Sequence, residues 1–239
     1  MKYRGFLKVL VSLGFLALIF NPKLVLGAAN VYQYGDYNTA SIDQTGPLNE
    51  ANIYQGEESN PSYYGYAKII QTLDGTNQAT IWQVGGSEGA SNIASIYQDS
   101  ETSTATISQT FTEGDSSNEA YITQSGDENS ALITQLGSGN YAKQYQEASS
   151  NYASIYQEGT SHYAYQEQTG SENEAYISQY GDSNIAEQYQ YTNGNYAYIY
   201  QEGTFNEAYQ YQGYSGSYGG YSSTISQNGN YNYASVTQN

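Results

Sequence analysis

"NEAYISQYGDSNIAEQYQ", residues Asn173 to Gln190, holds one phrase twice. Each copy reads Asn-x-Ala-x-Ile-or-Gln-x-Gln, and Ala186 of the second follows Ala175 of the first by eleven residues. An alternation of period two is the pattern of a strand whose two faces differ. Seven extended residues span roughly 23 Å. The four that remain, often Gly-rich, suit a tight turn.

With Ala as the marker, the phrase recurs eighteen times, at Ala29, Ala40, Ala51, Ala67, Ala79, Ala94, Ala105, Ala120 and Ala131, and then at Ala142, Ala153, Ala164, Ala175, Ala186, Ala197, Ala208, Ser223 and Ala234. From Ala120 to Ala208 the spacing is eleven throughout. Four residues after every marker stands Gln, from Gln33 to Gln238. Two residues after it stands Ile or Val fourteen times and Gln four times. Those four, Gln144, Gln166, Gln188 and Gln210, lie 22 residues apart, as do Ile133, Ile155, Ile177 and Ile199 of the intervening units.

Odd and even units are therefore two different strands, and a coil of 22 residues holds one of each. The expectation is an all-β solenoid, a cross-β stack of about nine coils forming two parallel, in-register sheets, at about 4.8 Å per rung. With the two strands of a coil running oppositely, Ile on one sheet faces Ala on the other. Pro47 and Pro61 fall between phrases, as a hydrogen-bonded ladder requires. The longer connections "GEESNPSYYG", "VGGSEGAS" and "TFTEGDSS" follow odd units and should leave one edge of the stack, while "GYSGSYGG" follows an even unit and should leave the other.

The stacking explains the amides. A side-chain amide on an identical amide one rung away donates to one neighbour and accepts from the other. An isolated buried Gln is costly, whereas a Gln within a ladder is satisfied. The candidate core-ladder residues fall in four rows. Two residues before the marker come Asn129, Asn140, Asn151, Asn173, Asn184, Asn195 and Asn206; the marker row is Ala131, Ala142, Ala153, Ala164, Ala175, Ala186, Ala197 and Ala208. Two after it come Ile133, Gln144, Ile155, Gln166, Ile177, Gln188, Ile199 and Gln210; four after it, Gln135, Gln146, Gln157, Gln168, Gln179, Gln190, Gln201 and Gln212.

Residues 1–27 read as a secretory signal peptide: a basic "MKYRGFLK", an apolar "VLVSLGFLALIF" and an exit rich in small residues. Residues 28–239 are the repeat domain. Four of the six Lys and Arg lie in the leader, so Lys68 and Lys143 face 23 carboxylates and the remainder carries a formal charge of −21. A polyanion without Arg is unsuited to nucleic acid or an acidic membrane face. No Cys is present, so export brings no disulfide framework.

Catalysis finds little support. The carboxylates are scattered through turns and outward positions, no Arg follows the leader, and one His, His162, occupies an Asn slot, where it caps a ladder. No cofactor or metal is expected. The "GD" pairs at Gly35-Asp36, Gly126-Asp127 and Gly181-Asp182 lack the further glycines of calcium-binding nonapeptides and read as turns. Outward Tyr at Tyr156, Tyr176, Tyr198 and Tyr200 are expected to pack on one another and favour the strand.

"VYQYGDYNTASIDQTG" (Val31 to Gly46) and "ASIYQEGTSHYAYQEQTG" (Ala153 to Gly170) resemble curlin repeats. The resemblance implies an extracellular functional amyloid subunit of bacterial biofilm. Its partners would be further copies of itself joined end to end, a nucleator subunit and a curli-type secretion channel in the outer membrane. The chain departs from the family where Asn slots hold Gly27, Gly65, Ser103, His162 and Tyr221, and where the first unit begins at the expected cleavage site. The competing expectation is a monomeric solenoid that adheres to surfaces or binds carbohydrate or ice. Consensus phrases at both ends, with no helix or charge cluster to blunt them, favour the polymer.

Overall fold

The computed structural model describes residues 27–46, 48–57, 62–73, 75–86, 91–112, 116–213 and 219–239. The leader up to residue 26, Pro47 and Pro61 lie outside the described residues. Every phrase forms a strand. The odd ones are β1 (Ala29–Gln33), β3 (Glu50–Gln55), β5 (Gln78–Val84), β7 (Thr104–Phe111), β9 (Ser130–Ser138), β11 (Tyr152–Thr160), β13 (Glu174–Asp182), β15 (Tyr196–Thr204) and β17 (Ser222–Asn228). The even ones are β2 (Thr39–Gln44), β4 (Tyr66–Gln71), β6 (Asn92–Asp99), β8 (Asn118–Ser125), β10 (Tyr141–Gln146), β12 (Tyr163–Gln168), β14 (Ile185–Gln190), β16 (Glu207–Gln212) and β18 (Tyr233–Gln238).

Odd strands build one nine-stranded sheet in the order β1-β3-β5-β7-β9-β11-β13-β15-β17, and even strands build the other. The pairing is parallel and in register: Ala153 lies on Ala131 and Ala175, Gln157 on Gln135 and Gln179. The chain is an all-β solenoid of nine coils. The two strands of a coil run in opposite directions. Gln157, in the second half of β11, donates to the carbonyl of Tyr141, the first residue of β10, at 3.0 Å. Gln168 at the end of β12 does the same to Tyr152, the first residue of β11, at 2.9 Å.

The core between the sheets is thin because its apolar residues are few and short. Ala and Ile of both sheets form one buried cluster, and most of its members are wholly inaccessible to solvent. Each buried Ile contributes roughly 1.5–3 kcal/mol. Ala opposite Ile lets the sheets approach closely, and large-against-small packing leaves no gap. The long connections join β3 to β4, β5 to β6 and β7 to β8, whereas the late one joins β16 to β17 at the opposite edge.

One expectation is corrected. Gly181-Asp182 is not a turn but the end of β13, since β9, β11, β13 and β15, nine residues each, run on three residues past their Gln. The cause is glycine. Gly137, Gly159, Gly181 and Gly203 sit on one another at φ of +123°, +128°, +100° and +118°. A Cβ on Gly159 would run into the carbonyl oxygen of Gly181. Only Gly can hold this φ and keep the ladder so close.

Candidate assembly site: amide ladders and open end faces

The Gln four residues after each marker forms a continuous hydrogen-bonded series along its sheet. On the odd sheet Nε2 of Gln33 donates to Oε1 of Gln55 at 2.7 Å. The series passes on through Gln83, Gln109, Gln135, Gln157, Gln179 and Gln201 to Gln227 at 2.8–2.9 Å. The even sheet repeats this from Gln44 through Gln71, Gln98, Gln124, Gln146, Gln168 and Gln190 to Gln212 and Gln238, at 2.6–3.0 Å. The second N–H of each Gln from Gln55 to Gln238 crosses to a main-chain carbonyl of the facing sheet, such as Glu119 for Gln135 and Tyr163 for Gln179. The amides thus extend both sheets and tie them together. Each bond adds about 1 kcal/mol net, and a satisfied chain of them polarises cooperatively.

A third series lies inside the core. Gln144 donates to Gln166, Gln166 to Gln188 and Gln188 to Gln210, at 2.8–2.9 Å. Their spare N–H groups reach the carbonyls of Leu132, Ser154, Tyr176 and Tyr198 at 2.9–3.1 Å. Their run ends abruptly. Gln144 pairs with Ile122 on the next strand, and its Oε1 is buried without a partner.

The Asn row works differently. Its carbonyl accepts from the main-chain N–H of the residue in the same slot one rung on. Asn129 takes that of Asn151, Asn151 that of Asn173, and Asn173 that of Asn195, at 2.8–3.0 Å. Asn118 and Asn140 do so on the even sheet, and Asn184 accepts from Asn206 at 2.9 Å. The amide nitrogen turns to main-chain carbonyls near strand ends, as Asn140 does to Gly159 of β11 and Asn184 to Gly203 of β15, both at 3.0 Å. On Asn151 and Asn173 it is buried without a partner.

His162 meets both demands of this slot. Its Nδ1 accepts from the Asn184 N–H and its Nε2 donates to the Glu158 carbonyl, both at 3.2 Å. The ring is therefore neutral, with the proton on Nε2, and burial pushes its pKa below the ordinary value.

On the outer faces several carboxylates accept hydrogen bonds from Tyr. Tyr121, Tyr156, Tyr165, Tyr176, Tyr189 and Tyr200 each donate a hydroxyl to a Glu two residues away, at 2.7–3.3 Å. Residues i and i+2 share a strand face, so the signal lay in the Tyr-x-Glu and Glu-x-Tyr spacing. Partial burial, and then the Glu119 bond and charge, push the Tyr121 hydroxyl up to about 12. Tyr rings also stack along the axis, with Tyr189 on Tyr211 at 4.8 Å and Tyr141 on Tyr163 at 5.2 Å. Among the described residues no three His, Cys, Asp or Glu side chains converge as metal ligands.

The stack presents two unlike ends. At β1 and β2, no donor among the described residues reaches Oε1 of Gln33 or Gln44. At β17 and β18, Gln227 and Gln238 each spend one N–H on the Glu207 and Ser222 carbonyls and keep one toward the open side. Val31, Ala40 and Ile42 at one end, with Ala234 and Val236 at the other, are packed on the core yet only partly covered.

Comparison with known families settles what these coils are. The Curlin associated repeat profile matches residues 28–56, 116–143 and 148–181. The chain carries curlin repeats. The matched curlin segments cover β1 to β3, β8, β9 and the first half of β10, and β11 to all but the last residue of β13, so both the irregular and the strictly spaced coils carry the family pattern. A search of curated proteins found no matching relative.

Proposed function

We propose that this curlin-repeat chain is a secreted structural subunit that polymerises head to tail into extracellular, curli-like amyloid fibres, serving adhesion and the biofilm matrix. The observation that carries this reading is the polarity of the end faces. One end offers Gln carbonyl oxygens and the other offers Gln N–H groups. Tail meeting tail would set donor against donor. Head meeting tail continues both Gln series, both sheets and the thin core across the junction. A heterologous contact of this kind does not close on itself and generates a filament.

In this reading residues 1–27 are a leader removed on export, and the 31 ladder residues from Asn129 to Gln212 are the amyloid core. A nucleator subunit and a curli-type secretion channel are the partners, and the fibre lies outside a bacterial cell. The reading as a monomeric carbohydrate binder is weakened by the Tyr rings, which turn their faces to one another rather than outward. Purified chain from residue 28 onward, incubated at high concentration, should yield unbranched fibres by electron microscopy. Fibre diffraction should show the spacing of stacked strands, about 4.8 Å. A folded monomer that persists under those conditions overturns the proposal.

A further inference from the structure

One turn position singles out the two ends of the stack. Three residues before the even-strand marker the backbone turns through the left-handed region at Tyr37, Tyr64, Gly139, Ser161, Ser183, Phe205 and Tyr231. Along the stack this slot holds Tyr37, Tyr64, Ser91, Ser117, Gly139, Ser161, Ser183, Phe205 and Tyr231. Small residues fill the five middle places, and rings fill the two at each end. A bulky aromatic at positive φ is disfavoured, yet Tyr37, Tyr64, Phe205 and Tyr231 hold φ of +62°, +55°, +55° and +57°.

The rings pair within each end. Tyr37 stacks on Tyr64 with centroids 4.8 Å apart and planes 7° from parallel. Phe205 stacks on Tyr231 at 5.2 Å and 11°. In each pair the outer ring has one bare face: Tyr37 is 75% exposed and Tyr231 76%, against 38% for Tyr64 and 51% for Phe205. The turns beneath them are in line, since Tyr64 N–H donates to the Asp36 carbonyl at 3.2 Å and Tyr231 N–H to that of Thr204 at 3.0 Å.

We propose that Tyr231 of one copy stacks on Tyr37 of the next, closing a four-ring column Phe205–Tyr231–Tyr37–Tyr64 that fixes the register of docking. The partner is a second copy of this chain, and the inference rests on the head-to-tail reading above. Continuing the parallel register puts β17 beside the next copy's β1, and β18 beside its β2. Gln227 and Gln238 then meet Gln33 and Gln44, and the Tyr37 N–H falls to the carbonyl of Asn230. The same step brings the two bare ring faces together. Repeated coils alone are nearly alike and would permit docking slipped along the strands. A ring column present only at the ends distinguishes the true junction.

The test uses Y37S and Y231S, because Ser already fills this slot at Ser161 and Ser183 and the fold should persist. Seeded fibre growth is expected to slow about tenfold in either variant. The double variant should be no slower, because one lost ring already removes the contact. Rates equal to the parent's, or losses that multiply in the double variant, overturn the clasp. The native chain has no Cys among the described residues or elsewhere, so Y37C and Y231C report the junction directly. Adjacent rungs about 4.8 Å apart suit a disulfide. Oxidised fibres grown from the mixed variants should yield cross-linked dimers, and fibres of either variant alone should not. Dimers from Y231C alone would mean tail-to-tail docking and overturn the proposal. A parent that never polymerises overturns the assembly reading itself; a parent that polymerises while both Ser variants keep pace overturns only the clasp.

Discussion

The coils from β1 to β8 and those from β9 to β16 solve the same problem with different fillings. In the first group even strands place Ile42, Ile69, Ile96 and Ile122 in the core; in the second the same slot holds Gln144, Gln166, Gln188 and Gln210. Connections vary in the first group, so Gln55 and Gln83 are 28 residues apart and Gln83 and Gln109 are 26 apart; in the second the interval is 22. Yet the Gln–Gln bond is 2.9 Å across all three of these steps. Register is therefore held by the columns and not by the length of chain between them. A longer loop adds little, since doubling its length costs only about 0.6 kcal/mol. A Gln in the core is a different matter: it is sound only beside another Gln.

The largest effect should come from breaking the second group's core. Replacing Gln144, Gln166, Gln188 and Gln210 together by Glu stacks four like charges about one rung apart in a dry interior. At neutral pH the loss should exceed about 5 kcal/mol, enough to abolish folding and assembly as read by circular dichroism and microscopy. Glu placed instead at Tyr145, Tyr165, Tyr189 and Tyr209, which face outward on the same strands, should be far milder, because water screens the added charges. Equal damage from the two sets would mean that the faces are reversed.

Next comes the contrast between the two connecting edges. At the position six after the marker, Gly137, Gly159, Gly181 and Gly203 run unbroken along the odd sheet, whereas the even sheet mixes Ala148, Gly170 and Thr192. Gly159→Ala drives a methyl into the Gly181 carbonyl at a φ that L residues avoid, and should destabilise by roughly 3 kcal/mol in urea. Ala148→Gly should change stability by less than about 1 kcal/mol. A tolerated Gly159→Ala would remove the reason given for the longer odd strands.

The boundary between Ile122 and Gln144 sharpens the comparison further. Ile122→Gln would let a new Nε2 donate to the orphaned Oε1 of Gln144, moving the defect one rung down. Its net effect should stay within about 1 kcal/mol. Ile96→Gln, flanked by Ile69 and Ile122, gains no such partner and should cost roughly 1–3 kcal/mol. The two together should cost less than their sum, because the new amides would then pair. Strict additivity in urea melts would show that Gln pairing along this column is not what makes a core Gln acceptable.

Much of this was legible in the residues. Period two, the invariant Gln and the odd–even alternation of Ile155 with Gln144 and Gln166 set strand, coil and sheet, because each is a statement about which side chains repeat at which interval. Atom-level roles were less legible. Asn and Gln carry the same amide, yet Gln157 bonds amide to amide while Asn151 offers its oxygen to a main-chain N–H. Asn is one methylene shorter, so its oxygen meets the main chain of the next rung, and its nitrogen depends on which carbonyls lie near, one for Asn140 and none for Asn151; that local geometry is not written in the repeat. The reach of Gln135 to Glu119 on the other sheet likewise depends on how closely Ala lets the sheets approach.

The smallest effect concerns His162, the only titratable side chain among the described residues that is buried. It replaces Asn in the strictly spaced group, and its neutral ring imitates the amide, with Nδ1 as acceptor and Nε2 as donor. Protonation would put a second N–H against that of Asn184, leaving two donors face to face. Burial lowers the ring's pKa, and the Glu158 carbonyl, the Asp182 charge and the Gly181 carbonyl only partly oppose this. The sign follows from linkage. The unfolded chain binds the proton more readily, so the contribution of His162 is fully present above the unfolded value of about 6.5 and is lost as pH falls through the lowered folded value. His162→Asn keeps the acceptor and donor without titrating. Melting the two proteins side by side at pH 7.5 and pH 5 should therefore show near equality at the higher pH, and the parent less stable than the variant at the lower. A gap that stays constant between the two would mean that the ring is held by packing alone and that its tautomer carries no part of the stability.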